Sequence, residues 1–293
     1  MTELSGYVLE TLREGREFVL YRGRHRGNPS PVLVLAANSE QPTPASLRRL
    51  EHEYSLAADL DPAWAARPLA LTRHEGRTVL VLKDPGGEPL DRILDRSRGQ
   101  PLELTRCLHV AIGLATAVGQ VHRHGLIHKD IKPANLLVDD LGNVRLTRFG
   151  IASKLPHEFQ APTPPEVITG TLAYMAPEQT GRMNRSIDAR SDLYSLGVTL
   201  YQMLAGTLPF AAADPLEWIH CHIARQPTPP GERAAVPEPL STITMKLPPK
   251  TPRSATRPPR ASKPIFDGAW RNGSRRAASI RSRRGCMTRR TGC

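Results

Sequence analysis

The first hundred residues alternate short apolar runs with turn-forming residues. The runs "REFVLYRG" and "PVLVLAA" are separated by "RHRGNPS", and a third run, "RTVLVLKDPGG", ends in glycines. Apolar runs of this length between Gly, Pro and Asn predict the strands of a small sheet. Between the second and third runs, Leu47, Leu50, Tyr54 and Ala57 recur at helical spacing, which predicts one helix with these residues on a single face.

From Leu102 onward the apolar spacing becomes helical. Seven apolar residues recur at intervals typical of one helix face: Leu104, Leu108, Ala111, Ile112, Ala115, Val118 and Val121. They predict a long buried helix that ends at His124 and Gly125. Further on, "NLLVDDLGNVRLT" predicts a hairpin that turns at residues 140–143, and "SDLYSLGVTLYQMLAG" predicts a second apolar helix that ends at Gly206.

The net charge of +12 is concentrated at the C-terminal end of the chain. Residues 247–293 contain 13 Lys and Arg and one acid, Asp267, whereas residues 1–246 contain 27 charges of each sign. This Pro- and Arg-rich tail has few large aliphatic residues, so we expect it to be disordered. Its abrupt change of composition also resembles translation of a displaced reading frame, which remains a hypothesis.

The tail raises the question of a polyanionic partner. With one Phe and one Trp it offers no spaced aromatic platform, so we expect no specific nucleic-acid binding; a nucleic-acid or membrane-surface arm is the alternative.

The four cysteines lack CxxC spacing and predict neither a zinc site nor a disulfide framework. The sequence shows no uninterrupted run of about 18 apolar residues and no secretory signal, which predicts a cytoplasmic protein without a membrane span.

The candidate chemistry lies in "LIHKDIKPANLLV", residues 126–138, between the long helix and the hairpin. Asp130, Lys132 and Asn135 place a carboxylate, an ammonium group and an amide on one short loop. The stretch resembles the catalytic loop of protein kinases, which carries an Asn five residues after its Asp. The resemblance implies that Asp130 accepts the proton of the acceptor hydroxyl, that Lys132 steadies the transferred phosphoryl group, and that Asn135 binds magnesium.

A second motif follows at the distance that the same family requires. In "GTLAYMAPEQTGRMNRSIDARSDLYSLGV", the Ala176-Pro177-Glu178 triplet resembles the end of a kinase activation segment. Asp192 would anchor the backbone of the catalytic loop, and Lys132 with Thr171 is typical of the serine/threonine class. Thr163, Thr169 and Thr171 are candidate phosphorylation sites, with Lys129 as the cation that would receive the phosphate.

The resemblance implies an α+β, bilobal protein-kinase-like fold. A small antiparallel-sheet N-lobe is expected at residues 5–83, a mostly helical C-lobe at 84–246, and the basic tail at 247–293, with the last C-lobe helices incomplete. The sequence around the second motif also resembles that of the N-terminal kinase-like domain of large bacterial signalling proteins. In those proteins an ATPase module, a GAF domain and a sensor histidine kinase follow.

Several positions depart from the pattern that kinases use to hold ATP and Mg²⁺. "RLTRFG" places Arg148 where the family's Asp-Phe-Gly motif has its metal ligand, and an arginine cannot bind a cation. Aligning "PVLVLAA" with Val-Ala-Ile-Lys places Leu35 at the phosphate-positioning lysine, which leaves Glu53 of the following helix without its ion-pair partner. The glycine-rich loop retains only Gly15, and Phe18 occupies one of the outer glycine positions.

The stretch "VLVLKDPGGEPL" resembles the hinge, where the backbone of Val81 to Lys83 would bind adenine. The implied function is ATP- and Mg²⁺-dependent phosphorylation of protein Ser or Thr in bacterial signalling. The departures predict weak or absent transfer. The alternative is a pseudokinase, a binding and regulatory module with the same fold and a protein partner.

Overall fold

The structure, a computed structural model, describes residues 6–25, 28–154, 172–181 and 186–247, without the side chains of Asn28 and Pro29. The described residues belong to one compact unit. The α+β, two-lobed architecture predicted from the sequence is confirmed: an antiparallel sheet with one helix comes first, and a mainly helical part follows. The predictions made for the basic tail concern residues 248–293, which lie outside the described residues.

The N-lobe is a five-stranded antiparallel sheet in the order β1-β2-β3-β5-β4. Its strands are β1 (Tyr7–Glu14), β2 (Phe18–His25), β3 (Asn28–Ala37), β4 (Pro68–His74) and β5 (Arg77–Lys83). Alternation of side chains across the central strands creates two buried faces. One face carries a leucine-rich cluster that includes Leu33, Leu35 and Leu80, and the other carries Val34 and Val81.

Helix α1 (Pro44–Ser55) packs on this sheet. Thr43 begins the helix by accepting a hydrogen bond from the backbone N–H of Ser46, and a proline follows at the first helical position. The buried side chains on α1 are Ser46, Leu50 and Glu53, whereas Tyr54 is 42% exposed. The prediction that Tyr54 shares the buried face is therefore wrong: the inward direction at that turn is taken by a glutamate.

The C-lobe begins with β6 (Glu88–Pro89), α2 (Leu90–Arg96) and the long helix α3 (Leu104–Arg123). Strands β7 (Leu136–Val138) and β8 (Val144–Leu146) form the predicted hairpin, and β6 completes a three-stranded sheet. The buried side chains of α3 are Cys107, Val110, Ala111, Leu114, Ala117, Val118 and Val121. Leu104 and Ile112, which we expected to be buried, are each 37% exposed. The buried stripe is therefore rotated slightly from the predicted one.

Helix α3 is also long and apolar enough to cross a membrane by length and composition. The expectation that the chain contains no such stretch is therefore not supported on that criterion. In the structure, α3 lies in the large apolar cluster of the C-lobe and packs against α4 and β8. A buried core helix passes the same test, so the finding is weak evidence for a membrane span.

Four further helices complete the described part of the C-lobe: α4 (Ala189–Ala205), α5 (Pro215–Ala224), α6 (Pro230–Arg233) and α7 (Glu238–Lys246). Asp188 caps α4 at its start, and Gly206 ends it with a φ of 73°. Helix α4 is mostly buried and packs against α3, α6 and α7. Within the described ranges, no group of His, Cys, Asp and Glu is arranged to hold a metal ion.

Candidate active site

The catalytic loop lies between α3 and β7 and brings its three predicted side chains together. Lys132 Nζ donates to both carboxylate oxygens of Asp130 at 2.7 and 2.9 Å. Asn135 Nδ2 donates to Asp130 Oδ2 and to the Asp130 carbonyl, both at 2.7 Å. The carboxylate is therefore contacted by the ammonium group and the amide at once. The roles assigned to Asp130, Lys132 and Asn135 remain predictions, but their proximity is a property of the fold.

This environment keeps Asp130 ionised. Burial of the carboxyl group opposes ionisation, but attraction and hydrogen bonding from Lys132, with further attraction from Arg148, lower the pKa of Asp130 below its ordinary value. The group is therefore a carboxylate at neutral pH. It can orient a hydroxyl group by accepting its hydrogen bond.

Asp192 holds the backbone of the loop. Its carboxylate is fully buried and accepts hydrogen bonds from the backbone N–H groups of His128 at 2.9 Å and Lys129 at 2.8 Å. His122 Nε2 lies 2.9 Å from the same carboxylate. Burial opposes ionisation of Asp192, but His122 and the backbone donors lower its pKa overall. The sequence interpretation of Asp192 as an anchor agrees with this geometry.

His128 supports the loop from inside the core. Its Nε2 lies 3.0 Å from the carbonyl of Thr147, and its Nδ1 accepts a hydrogen bond from the backbone N–H of Asp130 at 3.2 Å. Burial lowers the pKa of His128, which favours the neutral ring that these two bonds require. The ring of Phe149 packs edge-on against it, with 4.5 Å between centroids. Core packing therefore ties the loop to residues 147–149.

The Ala176-Pro177-Glu178 triplet is joined to the loop by its neighbour Gln179. Gln179 Nε2 donates to the carbonyl of Lys129 at 2.8 Å, and Glu178 accepts a hydrogen bond from Ser191 Oγ at 2.6 Å. The three candidate threonines, Thr163, Thr169 and Thr171, lie outside the described residues.

The most consequential departure from the kinase pattern is at position 148. Arg148 adopts a left-handed backbone with a φ of 70°. Its guanidinium carbon lies 4.1 Å from the centroid of the Phe18 ring, a cation–π contact across the cleft between β2 and the C-lobe. A cation therefore lies where the family has a metal ligand. Sequence reasoning identified both residues separately, but no sequence signal indicated that they touch.

Glu53 binds the backbone of this segment instead of a lysine. Its side chain is 1% exposed, and its Oε1 accepts a hydrogen bond from the backbone N–H of Arg148 at 3.1 Å. Burial raises the pKa of Glu53 to about 7, although the charge of Arg148 and backbone hydrogen bonds from Phe149 and Arg148 oppose the rise. Leu35, at the aligned lysine position, is 1% exposed inside the leucine-rich cluster.

The glycine-rich loop is a closed hairpin. The Gly15 N–H donates to the carbonyl of Phe18 at 3.0 Å, and the Gly15 carbonyl accepts from Asn38 Nδ2 at 2.9 Å. Both backbone groups of Gly15 are thereby used inside the protein. The cofactor contact at Gly15 therefore remains a prediction, and the N–H of Gly15 would have to leave the Phe18 carbonyl to bind a phosphate oxygen.

The predicted hinge residues Val81 and Lys83 lie on β5. Val81 lies within the ladder, paired with Val34 on one side and Ala70 on the other, and the Lys83 N–H donates to the carbonyl of Arg67 at 2.8 Å. The backbone of Val81 and the N–H of Lys83 are thus engaged within the protein, and the adenine contacts of these two residues remain predictions. The connection itself runs over residues 84–87.

An unpredicted arginine fixes this connection to the sheet. Arg22 on β2 donates to both carboxylate oxygens of Asp84 and, at 2.8 Å, to the carbonyl of Gly87. A bidentate arginine–carboxylate pair is geometrically specific. It therefore holds the connection between the lobes in one arrangement. Arg22 was missed because its partners lie more than sixty residues away in the sequence.

Magnesium and ATP fit this site poorly. Among the groups the family uses for them, Asn135 and the catalytic-loop carboxylate are present, but the second metal ligand is a cation and the phosphate-positioning lysine is a buried leucine. Asn135 is 2% exposed, with its amide nitrogen bonded to Asp130. No step through a metal is derived from this arrangement.

Comparison with known proteins agrees with the architecture and the catalytic loop. Residues 8–247 match the sequence model of the family described as protein kinase domain. This match covers most of the chain, so the chain belongs to the protein kinase family.

The similar relatives are bacterial serine/threonine kinases. A probable serine/threonine-protein kinase of Clostridium perfringens is 30% identical over 247 residues, which is 84% of this chain and 35% of the relative. The serine/threonine-protein kinase PknB of Mycolicibacterium smegmatis is 35% identical over 154 residues, 52% of this chain and 24% of the relative. The chain thus spans about a third or less of the length of these relatives.

Proposed function

We propose that this kinase-family domain acts as a pseudokinase, a binding and regulatory module for a protein partner in bacterial signalling. The observation that carries the proposal is Arg148: a guanidinium group lies over the ring of Phe18 where a metal-binding carboxylate is required. Replacing a metal ligand by a cation reverses the sign of an interaction of about 4 kcal/mol at 4 Å and an effective dielectric near 20. We place the protein in the cytoplasm as part of the same proposal.

The absence of the phosphate-positioning lysine also argues against phosphoryl transfer. Leu35 is almost fully buried among apolar side chains, and a leucine has no charge with which to attract the phosphates. Removing one preorganised electrostatic contact commonly lowers turnover by about 10² to 10³. Two such losses in one site, although not additive, are sufficient to make transfer negligible.

The second candidate function is ATP-dependent phosphorylation of protein Ser or Thr. It is favoured by one observation, the convergence of Lys132 and Asn135 on the Asp130 carboxylate. In an active kinase this group would orient the acceptor hydroxyl and steady the transferred phosphoryl group. In this alternative, Mg²⁺ and ATP would be the cofactors.

A transfer assay separates the two functions. The full chain, its Asp130→Asn variant and a protein kinase of known activity are incubated with labelled ATP, Mg²⁺ and generic acceptor proteins. We expect the wild-type chain and Asp130→Asn to give the same background incorporation. Incorporation by the wild type that disappears in Asp130→Asn would overturn the pseudokinase proposal and favour the second candidate.

A further inference from the structure

The space beside the hinge is filled by leucine side chains. Leu12, Leu20 and Leu33 lie on β1, β2 and β3, and Leu137 lies on β7 of the other lobe; they are 6%, 7%, 0% and 2% exposed, respectively. All four belong to one continuous buried cluster. Since β5 leads into the hinge, a base bound there would have to enter between the sheet and β7, where this cluster lies.

One of these leucines, Leu33, stands where the kinase strand motif has a smaller residue. When Leu35 is placed at the lysine of Val-Ala-Ile-Lys, Leu33 occupies the alanine. The larger side chain is fully buried, so its added volume projects into the cluster and not into solvent. Interiors of this kind are close-packed, so a base could enter only if these side chains moved apart.

The phosphate side of the cleft is filled in a different way. Phe18 directly follows the β1–β2 turn and is 2% exposed, with the Arg148 guanidinium stacked over its ring. The backbone of Arg148 is held in its left-handed conformation by Glu53. We call the Phe18 and Arg148 side chains the cleft plug. It joins the first turn of the sheet to the segment that follows the catalytic loop.

The charges around the cleft plug are balanced within the protein. Three ion pairs surround it: Arg13 with Asp91, Arg49 with Glu17, and Lys132 with Asp130. Arg148 itself is attracted by Glu53, Asp130 and Glu17. Arg13, Arg49 and Lys132 therefore each already pair with a carboxylate. A triphosphate or a Mg²⁺ ion would have to break these pairs to bind.

We propose that the cleft plug and the leucine cluster together take the place of the nucleotide, so that the domain holds its two lobes closed without binding ATP. This inference rests on the proposed pseudokinase function and makes it more specific. The protein partner would meet one nucleotide-independent conformation. The contacts that a nucleotide and metal make between the lobes in an active kinase are made here by Phe18, Arg148 and Leu137.

Nucleotide binding by the full chain tests the inference. The fluorescent ADP analogue mant-ADP is titrated, with and without Mg²⁺, into the wild type, Arg148→Asp, and the double variant Arg148→Asp with Leu33→Ala. The first substitution restores a metal ligand and removes half of the plug; the second restores the aligned alanine. We expect no saturable binding by the wild type up to the highest mant-ADP concentration used. The double variant should bind Mg²⁺–mant-ADP with a dissociation constant at least about tenfold below that concentration, the effect of one modest new contact.

Two matched variants control for charge and for cavity formation. Arg145→Asp makes the same charge change three residues earlier, where the side chain donates to the carbonyl of Pro62. Leu114→Ala removes the same volume from a fully buried site in the C-lobe cluster. Neither should create nucleotide binding. Circular dichroism confirms folding of each variant, and the wild-type titration, which needs no substitution, still tests the inference if the double variant does not fold.

The outcomes distinguish this inference from the proposed function. Saturable binding of mant-ADP by the wild type would overturn the inference; if no Asp130-dependent transfer accompanies it, the pseudokinase function would stand. Failure of the folded double variant to bind better than the wild type would also overturn it, because the plug and the leucine cluster would then not be what excludes the nucleotide. Transfer that disappears in Asp130→Asn would overturn both.

Discussion

Replacing Glu53 by glutamine tests how the protein accommodates a glutamate that has lost its lysine. Burial raises the pKa of this side chain from 4.5 to about 7. Between these two values, the unfolded chain releases the proton while the folded protein retains it. The free energy of unfolding therefore falls as the pH rises through this window.

The size of the change in the free energy of unfolding follows from the pKa shift of Glu53. At 1.36 kcal/mol per pKa unit, a rise from 4.5 to about 7 corresponds to about 3 kcal/mol of stability lost by pH 8. Because Glu53 is 1% exposed, little of this value is screened by solvent. Glutamine has nearly the same shape, keeps an oxygen that can accept the N–H of Arg148, and cannot ionise. Glu53→Gln should therefore be about 3 kcal/mol more stable than the wild type at pH 8 and about equally stable near pH 4.5.

Urea unfolding at several pH values between 4.5 and 8, followed by circular dichroism, measures the difference. Glu51→Gln is the matched control, because Glu51 is an exposed residue of the same helix and should leave the pH profile unchanged. A Glu53→Gln variant less stable than the wild type at pH 8 would refute the reasoning. It would mean that attraction between the ionised Glu53 and Arg148 exceeds the cost of burying the charge.

Three further substitutions test the supports of the site by urea unfolding. Asp192→Ala should cost about 3 kcal/mol or more, since it leaves the buried N–H groups of His128 and Lys129 without their acceptor; no loss of stability would contradict the anchoring role. Leu35→Ala should cost about 2–5 kcal/mol as a cavity in the leucine cluster, and a cost under about 1 kcal/mol would show that the site is less well packed than described. Gly206→Ala should destabilise by at least about 1 kcal/mol, because φ is 73° and the added Cβ would lie 2.1 Å from the Gly99 carbonyl oxygen; an unchanged midpoint would contradict this.

Much of the fold could be predicted because local patterns and the long-range structure agree. The apolar runs of β2, β3 and β5 and the hairpin of β7 and β8 follow from alternation and turn residues alone. The convergence of Asp130, Lys132 and Asn135 follows from their closeness in sequence, since one short loop carries all three. Asp192 was identified through the resemblance, which supplies long-range information that periodicity lacks.

The errors arise where a distant partner decides the orientation of a side chain. Glu53 is buried and Tyr54 exposed because backbone N–H groups almost a hundred residues away bind the carboxylate, and no apolar pattern encodes that contact. The stripe on α3 was misplaced because its buried face includes the small residues Cys107 and Ala117, which a pattern of large apolar residues does not single out. The contact between Phe18 and Arg148 joins two positions that the sequence shows only as separate departures.

Isothermal titration calorimetry of the wild-type chain with ATP, in the presence and absence of Mg²⁺, tests the central claim most directly. That claim is that the cation at position 148 and the leucine at position 35 leave the cleft unable to hold a metal-bound nucleotide. The account predicts no saturable heat of binding under either condition. Stoichiometric binding that requires Mg²⁺ and is lost in Asn135→Ala would contradict it.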